Sequence, residues 1–455
     1  QQQKQKARML IAAVEGGGTS FVVAVAEIDP PPSPPPPSSS KFVPPKILHR
    51  HEVDSSHDSP QRTLQECAEF FRKHNPCNNH TLDADGNSGK GPSSSQGTRK
   101  GYDALGVASF GPVGLDPTNK ATYGKILPST PKQNWRNVDI LKPLIEACKG
   151  QVDDNSSNDG RDGNSNLLVK IDTDVNAPAV AEFMAATAAS SPQLSQAPIT
   201  SVAYVTVGTG VGVGLVVNSK PVHGRMHPEA GHIPIQPLPA DKTIGFDGYS
   251  WGSKAPFFGR RTVESMTSSV ALTERLQKMS TTTNKNKSSS SSSASSALSR
   301  QVLAEIDDDD HEIWDHAANA LACLCVSLIL TLSIEKIVLG GGVMKRNGLI
   351  DKIRSRTSYL MNGYVDLPPV NSDEMKYLIS TSSFGRDIGL IGAMVLAQRA
   401  IIEDMEDNTA DSSDNNKKKK KGDTTTAFYV GAIHGVIVGA AISLLGWMAL
   451  TTTGN

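Results

Sequence analysis

Two stretches far apart in the chain read alike. Met9–Ile28 is MLIAAVEGGGTSFVVAVAEI, and Ser201–Asn218 is SVAYVTVGTGVGVGLVVN. Each is an apolar run, a turn rich in Gly and Thr, and a second apolar run. That is the pattern of a β-hairpin whose tight turn needs glycine. Each is followed by segments that alternate strand-like and helix-like. Two such hairpins so widely spaced predict two related lobes rather than a short-period solenoid. Leu167–Asp172 reads as a strand and Asn176–Ala188 as a helix. His311–Ile334 reads as a long, largely buried helix, Lys336–Gly342 as a strand running into a glycine turn, and Ile388–Ile401 as a closing amphipathic helix.

Between these periodic segments lie stretches with too little apolar surface to bury. Asp29–Ser40 is DPPPSPPPPSSS, a polyproline-type spacer, and the stretches 78–100, 150–166 and 280–299 are polar and rich in Gly, Ser, Asn or Asp. They are expected as disordered insertions at 29–48, 78–100, 150–166 and 280–299, in surface loops where added length costs little. The lobes are then expected at 8–175 and 176–402, with the last helix able to pack back on the first lobe. A charged linker follows at 403–426.

Ala427–Leu450 has no Lys, Arg, Asp or Glu. As a helix rising about 1.5 Å per residue it reaches about 36 Å, enough for a bilayer core of about 30 Å. A lysine run, Lys417–Lys421, precedes it. By the positive-inside rule that end stays cytosolic, so a tail-anchored protein with its folded part facing the cytosol is expected. The membrane itself is not specified. Net charge is −1, and nothing in the sequence calls for nucleic acid as a partner, which would need a basic surface. The cysteines, Cys67, Cys77, Cys148, Cys323 and Cys325, are odd in number and not spaced as a zinc site, which fits a reducing compartment.

Several turns carry residues suited to chemistry. Glu15-Gly16-Gly17-Gly18-Thr19-Ser20 joins two expected strands. Its glycines allow backbone N–H groups to approach an anion, although a plain hairpin turn has the same sequence and no Walker lysine follows. Gly208-Thr209-Gly210-Val211-Gly212-Val213-Gly214 repeats the pattern, and Gly340-Gly341-Gly342 gives a third close approach. Two such hairpins across a cleft would clamp a nucleotide tail. Asp172-Thr173-Asp174-Val175-Asn176 ends a strand and opens a helix, where α/β folds place ligands. Asp174 is suited to take a proton from an attacking hydroxyl, while Asp172 or Asn176 could instead cap the helix. His227-Pro228-Glu229-Ala230-Gly231-His232 could hold a metal, orient a substrate, or do neither.

The set EGGGTSF, ASFGPVGLD, STPKQNW, DTDVNAPAVAEF, VTVGTGVGVG, HPEAGH and VLGGGVM, in that order, resembles the ROK family of sugar kinases, and within it the fructokinase branch. The resemblance runs from about Met9 to Ile402, apart from the insertions. It implies an α/β fold of the duplicated actin-like/hexokinase (ribonuclease H-like) type. It implies phosphorylation of a hexose, fructose above others, by ATP with Mg²⁺. Carried over by motif, Asp174 would be the general base. Gly111, Asn176, Glu229 and His232 would meet the sugar. Gly17, Gly18, Thr19, Gly208, Thr209 and Gly210 would surround the phosphates, and Gly341 and Gly342 would back the adenosine. Glu15 would reach Mg²⁺ through water. A homodimer is a further expectation.

The chain departs from the family in two places. Ser20 stands where the family often has Lys. Ala255, Phe258 and Arg261 stand where a structural zinc often has ligands after the second His, so no zinc is expected. A glucokinase or N-acylhexosamine kinase of the same family, or a non-catalytic sugar-sensing scaffold, are the competing functions.

Overall fold

Both hairpins form, and each seeds a sheet of the same design. The structure is a computed structural model that describes residues 8–30, 42–55, 59–78, 101–149, 167–189, 198–283, 296–365 and 374–420. In the first sheet β1 (Met9–Gly16) pairs antiparallel with β2 (Ser20–Ile28), from Met9 opposite Ile28 to Gly16 opposite Phe21. β3 (Lys46–Asp54) lies antiparallel outside β2, while β4 (Ala104–Ser109) and β5 (Leu168–Thr173) add in parallel on the other side. The order is β3-β2-β1-β4-β5. The second sheet contains β6 (Val202–Val207), β7 (Val211–Val217), β8 (Lys220–Pro221), β9 (Lys336–Gly340) and β10 (Ile379–Thr381), in the order β10-β9-β6-β7-β8. Counted outward from its hairpin, the second sheet repeats the first strand for strand, with the same parallel and antiparallel pairings. The α/β duplication expected from the two hairpins is present.

The strands alternate as a period of two requires. Ala12 and Val14 point to one face of the first sheet. There they pack with Phe21, Val23, Leu64, Phe71 and Leu144, the last three from the helices Pro60–Lys73 and Leu141–Cys148. Ile11 and Ala13 point to the other face. That face meets the helix Asn176–Ala189 and the first turns of the helix Ile388–Lys420, and Val202 and Tyr204 of the second sheet close the layer from beyond. Ala203, Val205 and Val207 face outward onto the helix Glu312–Leu332. This last helix is long and apolar enough to span a bilayer. Its Ile313, Ala317, Leu321, Leu324 and Leu328 are buried, however, so it is a core helix, each Leu or Ile contributing about 1.5–3 kcal/mol by leaving water. At Gly106 of β4 the backbone of Ala393 comes so close that a Cβ would collide with it.

Three expected boundaries shift. β3 begins at Lys46, inside the stretch 29–48 expected as insertion. The outer edge of β2 offers unpaired N–H and C=O groups, so even a polar segment such as KILHRHEVD is held as an edge strand. Helices reach into 280–299 from both sides, to Thr283 and from Ser296. The closing helix, expected to end near Ile401, continues to Lys420, so the first part of the 403–426 linker is helical. No Gly or Pro interrupts it after Gly392. Residues to Ile402 form one unit and Glu403–Asn455 a second. The apolar segment 427–450 lies outside the described residues.

The parallel strands of the first sheet share a starting edge. Leu10 N donates to Asp103 Oδ2 (2.8 Å) and Leu168 N to Asp103 O (3.2 Å). Tyr102 N donates to Cys148 O (3.3 Å), and Asn75 Nδ2 to Ala147 O (3.3 Å) and Lys149 O (3.1 Å). The chain on both sides of 79–100 and 150–166 is thus tied to this edge. β1, β4 and β5 end at the opposite edge.

Candidate active site

At that edge Gly16, Ser109 and Thr173 stand side by side in register. The three loops that follow them therefore emerge together. Asp174 N donates to Ser109 O (2.8 Å), which carries the β4–β5 ladder one residue past the strand and fixes Asp174 at the strand end. Burial pushes the Asp174 carboxyl up to about 6, against the lowering pull of the Lys132 ammonium and a backbone hydrogen bond. Glu15, one row back beside Ala108, is pushed up to about 7 by burial first and then by Asp174 and Asp387, with Arg50 opposing. Its carboxylate packs against Gly389, in the first turn of the closing helix, where a Cβ would collide with it.

The first glycine turn is open. Gly17 N donates to Ser20 O (3.0 Å), while Gly18 and Thr19 are exposed, and a Cβ on Gly18 would meet nothing. Lys132, from the STPKQNW loop, donates to Gly18 O (2.5 Å) and lies 4.1 Å from the centre of the Phe110 ring. That loop is anchored by Trp135, which is fully buried, stacked on Phe21 (5.2 Å) and edge-on to Phe110 (5.2 Å). Thr130 Oγ1 donates to Gly111 O (3.3 Å) from the same loop. Lys132 had no assigned role in the sequence. Its signal was a single cation in a short polar motif.

The second turn is built differently. Gly208 N donates to Gly210 O (2.9 Å), and Ser269 N to Gly208 O (2.7 Å). Glu264 Oε2 accepts from Val211 N (2.9 Å), and a Cβ on Gly210 would lie 2.6 Å from that oxygen. Gly210, expected to face phosphate, instead faces a carboxylate. Gly208 and Thr209 remain open. Gly341, with φ +92, packs against the backbone of Val207, so the third turn buttresses the second, and Gly342 is unobstructed.

Asn176 was expected to meet the sugar, but it is fully buried. Its Nδ2 donates to Asp172 Oδ1 (3.0 Å) and its Oδ1 accepts from Leu215 N (3.2 Å). The amide therefore joins the end of β5 to β7 and is a clamp, not a lining group. Thr173 Oγ1 accepts from Asn176 N (3.0 Å), so Thr173 serves the helix start in place of Asp172 or Asn176. His223 Nε2 lies 3.0 Å from Asp172 Oδ2, and that hydrogen bond raises the His223 pKa.

HPEAGH divides into three tasks. His227 is buried over Gly111, where a Cβ would lie 3.1 Å from its Nε2, and burial lowers its pKa. Glu229 is pushed up to about 7 by burial, then by Glu264 and Asp174, so it lies within electrostatic reach of Asp174. His232 Nδ1 lies 3.9 Å from Glu264 Oε1. The motif wraps the second hairpin, with Gly231 directly against the carbonyl of Val211.

A family model described as the ROK family matches residues 162–400. A "Putative fructokinase" of Bacillus subtilis (strain 168) is 30% identical over 298 residues, covering 66% of this chain and 79% of that protein. A "Fructokinase" of Zymomonas mobilis is 31% identical over 344 residues, covering 75% and 86%. The chain belongs to the ROK family. A Vibrio vulnificus N-acetylmannosamine kinase matches over a smaller share, 28% identical over 187 residues, 41% of this chain and 54% of that one. Among solved structures, the ROK hexokinase from Thermus thermophilus aligns with a TM-score of 0.53 at 18% identity, covering 87% of this chain and all of that one. A Streptomyces griseus ROK glucokinase, in complex with glucose and AMPPNP, aligns with 0.51 at 17%, covering 86% and 99%. These likenesses show the fold, the duplicated actin-like one. Sugar-kinase activity is the reaction class the kinship supports.

The zinc often found in the family does not fit the residues present. Ala255 is buried, Phe258 is exposed, and Arg261 Nε is 2.5 Å from Asp247 Oδ1, so an ion pair occupies this loop. None of the three supplies a donor a zinc ion could use.

Proposed function

We propose that the chain is an ATP-dependent hexose kinase that phosphorylates fructose at its 6-hydroxyl, with Asp174 as general base. The observation that carries this is Asp174 itself: a carboxyl at a strand end, pushed up to about 6, between an open glycine turn and Glu229. A base is most effective when its pKa lies near the working pH, and this one is ionised at neutral pH and still able to accept a proton. The names of the relatives that match over most of their length favour fructose over other hexoses.

In the proposed step the hexose hydroxyl gives its proton to Asp174 as its oxygen bonds to the terminal phosphorus. The bond from that phosphorus to the bridging oxygen of the diphosphate breaks. Phosphoryl transfer mainly needs positioning and charge neutralisation, so Gly17, Gly18, Thr19, Gly208 and Thr209 serve the phosphates while Glu229 and His232 orient the sugar. Glu15 and Asp174 are two mutually repelling carboxylates, and such a pair fits Mg²⁺ held through water and phosphate oxygens. When bound, Mg²⁺ would neutralise phosphate charge.

The test is a coupled assay of the full-length chain with ATP, Mg²⁺ and a hexose panel. Fructose should give the highest kcat/KM. Faster turnover of glucose or N-acetylmannosamine would replace fructose with that sugar. No ADP above background with any sugar would refute the enzyme and leave a sugar-sensing scaffold. We further propose that Ala427–Leu450 holds the kinase at a membrane with its folded part in the cytosol. The chain should then stay with membranes through a carbonate wash, and release of the intact chain would count against it.

A further inference from the structure

One motif residue is left without a part in the reaction described above. Lys132 is separated from Gly18 by 114 positions, yet its Nζ donates to the Gly18 carbonyl at 2.5 Å. It stands over the Phe110 ring, 4.1 Å from the centroid, and 5.8 Å from that of Trp135. Both rings belong to the packed set that fixes the start of β2. The ammonium is thus presented by a rigid aromatic floor at the mouth of the first turn, and it acts electrostatically on Asp174.

The charges around it are of the other sign. Burial raises the Asp174 carboxyl, which feels the ammonium directly. Glu15 is raised by burial first and then by the charge of Asp174, and Glu229 by burial first and then by Glu264 and Asp174. Neither glycine turn carries a Lys or Arg, since residues 15–20 are EGGGTS and 208–214 are GTGVGVG. A nucleoside triphosphate adds several more negative charges, and glycine N–H groups offer only partial dipoles against them. A neutral carbonyl is a weak partner for an ammonium, and an anionic phosphoryl oxygen is a stronger one.

We propose that Lys132 is a catalytic residue. When nucleotide binds, its ammonium exchanges the Gly18 carbonyl for oxygens of the terminal phosphoryl group, the group that moves to the sugar. This rests on the kinase function proposed above. Lys132 keeps all its protons throughout. The hydroxyl proton passes to Asp174, the new O–P bond forms on the sugar, and the bridging O–P bond breaks to leave the nucleoside diphosphate. Lys132 bridges the two reacting sides because it faces both the first turn and the base. It stabilises charge that shifts between the transferred group and its leaving oxygen.

The test uses the full-length protein with Mg²⁺ and two nucleotides, AMPPNP, which has the terminal group, and ADP, which lacks it. Lys132→Met should weaken AMPPNP binding by about tenfold or more, as loss of a charge-assisted contact would, and leave ADP within about twofold. Lys132→Arg should restore most of the difference. With the preferred hexose, Lys132→Met should lower kcat by about 10²–10³, the range for removal of one charge-stabilising donor, with the sugar KM nearly unchanged. Equal weakening of both nucleotides would make Lys132 a support for the fold of the turn and overturn the proposal. So would unchanged AMPPNP binding. If the parent chain binds AMPPNP more tightly than ADP in a Lys132-dependent way but phosphorylates no hexose, the kinase function fails while the phosphoryl contact stands. A parent that binds neither nucleotide overturns both.

Discussion

The two glycine turns come from sheets of the same topology, yet they end up with opposite electrostatic partners. The first turn has open space at Gly18 and an ammonium at its carbonyl. The second has a carboxylate, Glu264, on the N–H of Val211, and Gly341 packed behind it. The two frames share a design, and residues from elsewhere in the chain make them unequal. The first is open. The second is braced from both sides and leaves only Gly208 and Thr209 open.

The strongest test of this inequality lies at Asp174, the proposed base. Asp174→Asn should lower kcat by about 10²–10⁴, the usual contribution of a positioned base. Its melting temperature should not fall, because burial penalises the charged carboxylate that is removed. Turnover equal to the parent would take the reaction away from this turn. Next, Gly341→Ala should destabilise by about 2–4 kcal/mol in urea unfolding, from a left-handed φ and a collision with Val207, whereas Gly18→Ala should stay within about 0.5 kcal/mol. Comparable losses at both glycines would erase the distinction between a braced turn and an open one.

Glu264→Ala should cost about 1.5–3 kcal/mol in the same measurement, the range for a hydrogen bond to a charged group. It should also lower the Glu229 pKa, since Glu264 is one of the causes that raise it, and an NMR titration would show this. The smallest effect concerns Glu15, whose folded pKa of about 7 lies above its ordinary 4.5. A raised carboxyl stabilises fully below about pH 4.5, and that contribution is lost as pH rises through about 7. Glu15→Gln should therefore match the parent at pH 4 and exceed it at pH 8, by on the order of 1–2 kcal/mol. A parent and variant with parallel stability curves would show that Glu15 ionises without penalty.

The hairpins, the strand-end aspartate and the helix after it could be read from local pattern, because alternation and glycine clusters act over a few residues. Lys132 and Glu264 could not. Each touches a turn more than fifty positions away, at Gly18 and Val211, and nothing in STPKQNW or RTVES announces it. Asn176 shows a different limit. Its type and place suit a sugar contact and a clamp equally, and the choice depends on the N–H of Leu215 arriving from β7. β3 was hidden because an edge strand needs only an unpaired neighbour, so its polar sequence carries no burial signal.

The shared starting edge of β1, β4 and β5 has a practical corollary. The segments 79–100 and 150–166 depart and return at Asn75, Tyr102, Lys149 and Leu168, at the far end of the strands from Asp174. The described residues that flank both segments thus lie at one end of the sheet. A fluorescent reporter or an affinity tag placed within either segment should leave the turnover of the parent chain unchanged, and a large loss of turnover would count against this separation.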